Sequence, residues 1–444
     1  MSDEPSPSSY APFIALAVVL VLFVLALVGV LVAALIIYVF VQAAPAPAAV
    51  PIDTKRAAPL NRLAVIADDQ LYTIDPDGSD RIDLAHNGRV PTAAVVWSHD
   101  GQRLIFAESE RNQSRVNSAR PDGQETRVLY EADRIHEPFY LYGSPDDQHV
   151  AFLAADPVES MQLHIAQTDR PGSARVAVSG QPNYSSWSPQ SQSLLVHIGG
   201  TRAEAFVGTY DLRAATTQKI ETQPAAFQAP VWSPTGKTQW LYARQTGPRS
   251  ELVIGDEQDS RMLAEFDGGI TFSGSPDGQR VAYAVNTPNS FLYEGLTVID
   301  LTASSTQVYF KGNVLAFFWS PDGTKLAYLT GALVGPAPVG RAGGLAAPAR
   351  QQRALQVTWH VIDLERNRTI DLNTFEPTES FLYLLQYFDQ FAQSVALWSP
   401  DSQALVYAGQ PLIGERGVYV TNSDDAAAAP RFVGPGDFAI WSWH

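Results

Sequence analysis

The histidines are the first residues to consider for catalysis or metal binding, and the chain has eight of them. None forms a His-x-His pair or a His-Glu-x-x-His pattern, the local spacings that hold zinc. Cysteine is absent, which excludes disulfides, thiolate zinc sites and cysteine nucleophiles. The Gly-x-Ser-x-Gly elbow and the glycine-rich phosphate loops are missing as well. We therefore predict no metal, no cofactor and no catalytic residues, and keep a site assembled from distant segments as the alternative.

Two further features have the composition of a chemical site. His136 and Glu137 precede an apolar run, where they face either solvent or a central channel. The Asp-Gly pairs, such as Asp77 and Gly78, resemble calcium loops in composition, but they lack the alternating oxygens and the distal glutamate. We interpret the Asp-Gly pairs as turns.

The overall charge excludes one class of function. The 444 residues include 30 Lys and Arg against 46 Asp and Glu, which gives a net charge of −16. A nucleic-acid-binding protein needs clustered positive charge, so that class is disfavoured. With 45% hydrophobic residues, 31 glycines and 31 prolines, the chain is typical of a globular, turn-rich protein.

The N-terminal segment has the pattern of a membrane anchor. After a short tail (1–12), residues 13–42 are almost wholly apolar, and a bilayer core needs only about 20 such residues. The tail carries Asp3 and Glu4 and no Lys or Arg, unlike a signal peptide. We predict one uncleaved transmembrane helix, although the small residues at 43–46 would also suit a signal peptidase.

An Ala/Pro-rich linker follows the predicted span. Residues 43–60 should form a semi-extended spacer of about 3 Å per residue. The basic residues of this region, Lys55 and Arg56, follow the span, so the positive-inside rule alone would place the C-terminal domain in the cytoplasm.

The remainder, residues 61–444, repeats one short motif. The motif reads Trp-Ser-Pro-Asp-Gly with small variations and recurs about every 45 residues, a spacing typical of propeller blades. Ser and Asp can bond nearby backbone groups, Pro fixes one dihedral angle and Gly accepts a positive φ, which together favour a tight turn. The copies begin at Trp97, Gly143, Trp187, Trp232, Gly274, Trp319 and Trp398, and a truncated copy begins at Trp441.

Four short strands fit into each period. An apolar run precedes the motif, as in residues 314–319, and an alternating run follows it, as in residues 325–329. A third run and a fourth run come next, as in residues 357–364 and 369–372. Four strands per period predict one propeller blade for each repeat.

The turn and the strand after it resemble a known repeat. The sequence from Trp319 to Tyr328, with its Trp-Ser-Pro-Asp-Gly and Lys-Leu-Ala-Tyr elements, is similar to the TolB-type, WD-like β-propeller repeat. The resemblance covers about residues 60–444. It implies an all-β propeller and an extracytoplasmic location, and it does not specify an activity.

The two ends of the repeat region predict how the ring closes. Residues 61–84 supply strands two, three and four of a blade, and residues 438–441 supply a first strand with nothing after it. We predict that Phe438–Trp441 pairs with Leu63–Ile66, which would remove the free sheet edges. This predicts eight blades, with seven as the alternative.

Two insertions distinguish the last repeats. Residues 331–356 are rich in Gly, Ala and Pro and contain Arg341, Arg350 and Arg353 without an acidic residue. Residues 374–393 have large apolar residues near helical spacing after Pro377 and Thr378, which predicts a helix. The apolar residues are Phe381, Leu384, Leu385, Phe388 and Phe391.

Both insertions should emerge on the same face of a propeller. One alternative is a loop plus a helix that caps the propeller's own apolar edge. The other is a docking site, in which the arginines attract a partner and the apolar stripe is buried against it. The sequence therefore predicts a membrane-anchored, non-catalytic propeller that recognises a protein partner, with a channel enzyme or a receptor for an envelope glycan or peptide as alternatives.

Overall fold

The computed structural model describes residues 61–84, 88–158, 160–225, 228–233, 239–286, 292–334 and 354–443. Among these residues, no helix is long and apolar enough to cross a membrane. The predicted span (13–42) and the linker (43–60) lie outside the described residues, as do Arg341, Arg350 and Arg353.

The described residues form antiparallel sheets built mainly from consecutive strands. Six sheets have four strands each and a seventh has seven. The all-β prediction is therefore confirmed, and the repeated four-stranded unit is that of a β-propeller.

One four-stranded sheet joins the two ends of the chain. Its strand order is β3-β2-β1-β31, and β1 pairs antiparallel with β31 through Leu63↔Trp441 to Ile66↔Phe438. The predicted closure is confirmed in its register. The strands are β1 (Leu63–Ala67), β2 (Gln70–Ile74), β3 (Ile82–Asp83) and β31 (Phe438–Trp441).

Five further sheets are four-stranded meanders. They are β4 (Val95–Trp97), β5 (Leu104–Glu110), β6 (Gln113–Ala119) and β7 (Arg127–Asp133); β8 (Pro138–Gly143), β9 (His149–Asp156), β10 (Ser160–Gln167) and β11 (Arg175–Ser179); β12 (Asn183–Trp187), β13 (Ser193–Ile198), β14 (Phe206–Asp211) and β15 (Thr216–Glu221); β16 (Val231–Trp232), β17 (Trp240–Thr246), β18 (Arg249–Gly255) and β19 (Ser260–Phe266); and β20 (Gly269–Gly274), β21 (Arg280–Asn286), β22 (Tyr293–Asp300) and β23 (Ser305–Val314).

The seven-stranded sheet contains the last two repeats. Its strands are β24 (Ala316–Trp319), β25 (Lys325–Val334), β26 (Ala354–Asp363), β27 (Arg368–Pro377), β28 (Ala404–Pro411), β29 (Gly417–Asn422) and β30 (Arg431–Gly434). Two helices, α1 (Glu379–Gln386) and α2 (Phe388–Phe391), lie between β27 and β28, and a 3₁₀ turn at Arg134–His136 lies between β7 and β8. The first insertion is shorter than predicted, because 331–334 and 354–356 extend β25 and β26.

Each sheet packs between two neighbours, so its central strands are buried on both faces. This explains the near-continuous apolar runs: Leu104 to Ala107 of β5 and Leu405 to Ala408 of β28 are all buried. The first strands of successive sheets are also in contact: β4 contacts β8, and β12 contacts β16. The first strands therefore line the central axis of the ring.

The motif forms a self-bonded turn. In the copy after β4, the Ser98 hydroxyl donates to Asp100 Oδ1 (2.6 Å) and accepts from the Arg103 amide (2.9 Å). The same bonds recur between Ser320, Asp322 and Lys325. We call the end of the sheets that carries these turns the turn face. The opposite end, with the connections from strand two to three and from strand four to the next sheet, is the loop face.

The closure generates the first prediction. Deleting residues 437–444 would remove β31, whose side chains are no more than 2% exposed, and would leave β1 as an open edge. We expect the purified protein to lose its cooperative thermal transition or to aggregate. An unchanged thermal midpoint would contradict the closure.

A disulfide lock tests the same contact in the opposite direction. Because the chain has no cysteine, the pair Ala64→Cys and Ile440→Cys, which face each other across β1 and β31, introduces the only thiols. The oxidised variant should be stabilised by roughly 2–4 kcal/mol, and reduction should reverse the gain.

Candidate interaction site

The segment between β27 and β28 forms helices where the sequence predicts one. The hydroxyl oxygen of Thr378 accepts a hydrogen bond from the Phe381 amide (3.1 Å), which caps the start of α1. The backbone amide of Thr378 donates to the carbonyl of Ala408 in β28 (3.1 Å). The cap therefore both starts the helix and ties it to the neighbouring repeat.

All five apolar residues of the predicted stripe are buried within the chain itself. None of Phe381, Leu384, Leu385, Phe388 and Phe391 is more than 5% exposed. This placement corresponds to the capping alternative of the sequence analysis. It removes these five side chains from any free docking surface in this structure.

Aromatic contacts show what the stripe covers. Phe388 packs edge-on against Phe317 of β24, with ring centroids 5.0 Å apart, and Phe391 against Tyr140 of β8 at 5.3 Å. Phe381 lies 6.3 Å from Trp359 of β26. The segment thus contacts sheets that are far apart along the chain.

Gln390 fixes α2 by hydrogen bonds to two first strands. Its side-chain amide donates to the carbonyl of Ser185 in β12 (2.7 Å) and accepts from the amide of the same residue (3.1 Å). Its backbone carbonyl accepts from the Tyr140 hydroxyl of β8 (3.0 Å), which also accepts from the Gln390 amide nitrogen. The buried Gln390 therefore continues the hydrogen-bond pattern of a first strand.

Asp389 connects α2 to a further sheet, the one that begins with β16. Its half-buried carboxylate accepts hydrogen bonds from its neighbour Gln390 (3.0 Å) and from the backbone amide of Ala229, just before β16. Burial raises the pKa of this carboxyl to about 6, although the two hydrogen bonds lower it. The pKa of the nearby Tyr293 is raised mainly by burial and to a smaller extent by the charge of Asp389.

These contacts place α2 across the central axis. It touches β8, β12, β20, β24 and the backbone of Ala229, two residues before β16. These are first strands, or the segment that enters one, on several sides of the ring. The chain's own residues therefore fill the loop-face end of the channel. We call residues 379–391 the plug.

The His136–Glu137 pair lies in the connection before β8, as predicted, and is engaged locally. The His136 ring nitrogen Nδ1 lies 2.6 Å from Asp133 and Nε2 lies 3.7 Å from Asp156, while Glu137 accepts a hydrogen bond from Ser109. Within the described ranges, no group of three or more His, Asp and Glu side chains has the arrangement of a metal site.

Sequence reasoning missed Asp389 and Gln390, because their neighbours Phe388 and Phe391 dominate the helical pattern. The available signal was the presence of two polar residues inside an apolar stripe, which indicates specific hydrogen-bond partners when such a stripe is buried.

Comparisons with known proteins concern the fold. No known family and no curated protein matches the sequence. Among solved structures, the chain is similar to TolB from Acinetobacter baumannii, with 15% identity over 57% of this chain and 64% of that one and a TM-score of 0.35.

Two further neighbours are named as enzymes. An oligogalacturonate lyase from Vibrio parahaemolyticus shares 11% identity over 84% of this chain and 85% of its own (TM-score 0.42). A prolyl endopeptidase shares 11% sequence identity over 78% of this chain and 50% of its own, with a TM-score of 0.49. Likenesses at this level assign none of these activities to the chain.

The raised pKa of Asp389 generates a prediction about pH. The folded state favours the protonated carboxyl, so its contribution to stability should fall as pH rises from about 4 to about 6. Asp389→Asn keeps an oxygen acceptor for Ala229 and removes the charge. Its free energy of unfolding should exceed that of the parent at pH 7.5 by on the order of 1–3 kcal/mol and should equal it near pH 4. Parallel curves of stability against pH for the two proteins would contradict this assignment.

Proposed function

We propose that the protein is a single-pass membrane protein that displays an eight-bladed β-propeller as a non-catalytic scaffold for a protein partner. Residues 13–42 are the proposed anchor and residues 43–60 the tether. The proposal places the partner on the loop face.

The count of eight is supported by the way the seven-stranded sheet is assembled. β27 and β28 share only three residue pairs, from Phe375↔Pro411 to Pro377↔Gly409. The Trp398↔Leu405 bridge supplies an inner partner for β28, as β24 does for β25. We therefore divide the sheet into two blades, β24–β27 and 396–434, which join the other six.

The distribution of exposed apolar side chains carries the functional proposal. The structure describes thirteen large hydrophobic residues that are exposed. Five lie on outer edge strands, and none lies at the turn face in the described part of the chain. The other eight lie on the loop face: Ile135, Val158, Leu292, Leu333, Val334, Tyr387, Leu412 and Ile413.

Six of these eight come from the last three blades, beside the plug. The tip of the β28–β29 hairpin is the most exposed, with Leu412 at 68% and Ile413 at 95%. Leu333 and Val334 end β25, and the three arginines follow them in the sequence, outside the described residues. Exposed apolar side chains that gather on one face are typical of a protein interaction site.

The chain enters the propeller at Asn61, whose side chain accepts a hydrogen bond from the indole of Trp441 at the end of β31 (2.6 Å). We also propose that this domain is extracytoplasmic, on the resemblance to TolB-type repeats, although Lys55 and Arg56 argue against it.

One observation favours the glycan receptor as a second candidate. A cavity of about 710 Å³ opens on the loop face between the first two sheets. Its walls are mostly polar and include Asp69, Arg89, Glu110 and Arg111, which could bond sugar hydroxyls. A channel enzyme, in contrast, would have to work beneath the plug.

Substitutions at the hairpin tip test the scaffold proposal. Leu412→Ser with Ile413→Ser should leave the thermal midpoint within about 1 °C, because exposed positions contribute little to stability. Chains that co-purify with the parent from native membranes in mild detergent should be lost at least tenfold.

The matched control changes two exposed residues on edge strands, Val176→Ser and Met262→Ser. It should retain every chain that the parent retains. Equal loss in both variants, or no loss in either, would argue against a partner at the hairpin tip.

The proposed location has its own test. Protease added to intact spheroplasts should remove the propeller if it is extracytoplasmic, because the linker would then be accessible. Full protection until lysis would establish the opposite orientation and leave the scaffold proposal standing.

A further inference from the structure

A second cavity opens on the turn face, opposite the proposed partner surface. It has a volume of about 270 Å³ and an apolar lining. Three tryptophans and three turn prolines dominate its walls, and Val395, just beyond the plug, lies at its floor. We call this cavity the cup; the wall residues are Trp319, Trp398, Trp443, Pro276, Pro321 and Pro400.

A departure from the repeat leaves the cup open at one side. At the motif's first position, the indoles of Trp319 and Trp398 lie against the preceding first strand and donate to the carbonyls of Ser273 (3.2 Å) and Phe318 (3.0 Å). Gly274 occupies the same position and lines the cup. A Cβ at Gly274 would meet no heavy atom within 4 Å, so the missing side chain leaves empty space.

Three aspartates belong to the turns whose prolines line the cup. Asp277, Asp322 and Asp401 directly follow the three wall prolines and are exposed. Each uses Oδ1 to bond its own turn, as Asp401 does with the Ser399 hydroxyl (2.5 Å). Burial would raise the pKa of Asp322, but hydrogen bonds from Ser320, Thr324 and Ser402 lower it below its usual value. The carboxylate of Asp322 is therefore ionised at neutral pH. Asp277 lies 3.7 Å from the guanidinium of Arg280, which offsets part of its charge.

The size and charge of the cup define its ligand. Small-molecule sites usually enclose about 300–1,000 Å³, so a cavity of about 270 Å³ suits one large apolar side chain. Tryptophan faces and carboxylates both attract a cation close by. The net charge of −16 would also speed the approach of a basic partner.

We propose that the cup binds a peptide segment of a basic partner, with one apolar side chain inside it and a lysine or arginine against the turn aspartates. This is an interaction in addition to the scaffold surface, because it uses the opposite face of the ring. It does not depend on the loop-face proposal.

The probe is a fluorescein-labelled pentapeptide, Lys-Pro-Leu-Pro-Lys, added to the full-length protein in non-ionic detergent. Fluorescence anisotropy should show binding that weakens at least fivefold between 50 and 500 mM salt, because screening reduces the attraction. Two control peptides, Lys-Pro-Ser-Pro-Lys and Glu-Pro-Leu-Pro-Glu, should bind at least tenfold more weakly.

The repeat itself offers a matched pair of variants. Gly274→Trp restores the usual residue at the edge of the cup and should weaken binding at least tenfold. Gly143→Trp makes the same change at the other glycine of this position, which does not line the cup and whose Cβ would lie 3.8 Å from the carbonyl oxygen of Trp97. That variant should bind like the parent.

Additional variants keep the test decisive if Gly274→Trp fails to fold. Trp443→Ala removes one wall, and the triple change Asp277→Asn, Asp322→Asn and Asp401→Asn keeps the turn acceptors while removing the charge. The first should weaken binding at any salt concentration, and the second should abolish the salt dependence.

Three results would overturn the proposal. One is equal binding of the leucine and serine peptides, and another is equal binding by the two Gly→Trp variants. The third is self-association of the parent that Gly274→Trp abolishes, which would identify a second copy of this chain as the occupant.

Discussion

The pairing of β1 with β31 is the contact on which the rest of the structure depends. Four residue pairs join the beginning of the repeat region to its end and convert a row of sheets into a ring. Without them, β1 would present an open edge and the first strands would no longer surround a common axis. The buried Arg62 supports this blade, because it bonds Asp75 (2.9 Å) and Asp80 (3.1 Å).

The closed ring leaves a channel, and the plug determines how that channel can be used. Gln390 bonds the first strands of two sheets, Asp389 reaches a third, and Phe388 packs against a fourth. A buried amide with these partners holds one position and one orientation, because any other would leave its polar atoms unsatisfied. The loop-face end of the channel is consequently part of the core.

The two faces differ in chemistry because they are built from different connections. The turn face is made from one repeated turn, whose serine and aspartate bond each other in copy after copy. The repetition places similar acidic groups around the axis. The loop face is made from connections of unequal length, so it can carry exposed aliphatic pairs such as Leu412 and Ile413 without disturbing the ring.

The sequence alone determined the strands, the turns and the register of closure, because these depend on local alternation and on a motif repeated at a constant spacing. It also predicted a helix with one apolar side within residues 374–393. Only the tertiary structure decided what that side covers, since Phe381 or Phe388 has the same pattern whether it packs against its own ring or against a partner. Leu412 and Ile413 are the reverse case. Their sequence does not distinguish them from other apolar residues at the end of a strand. Only the path of the hairpin in the structure shows that they are exposed to solvent.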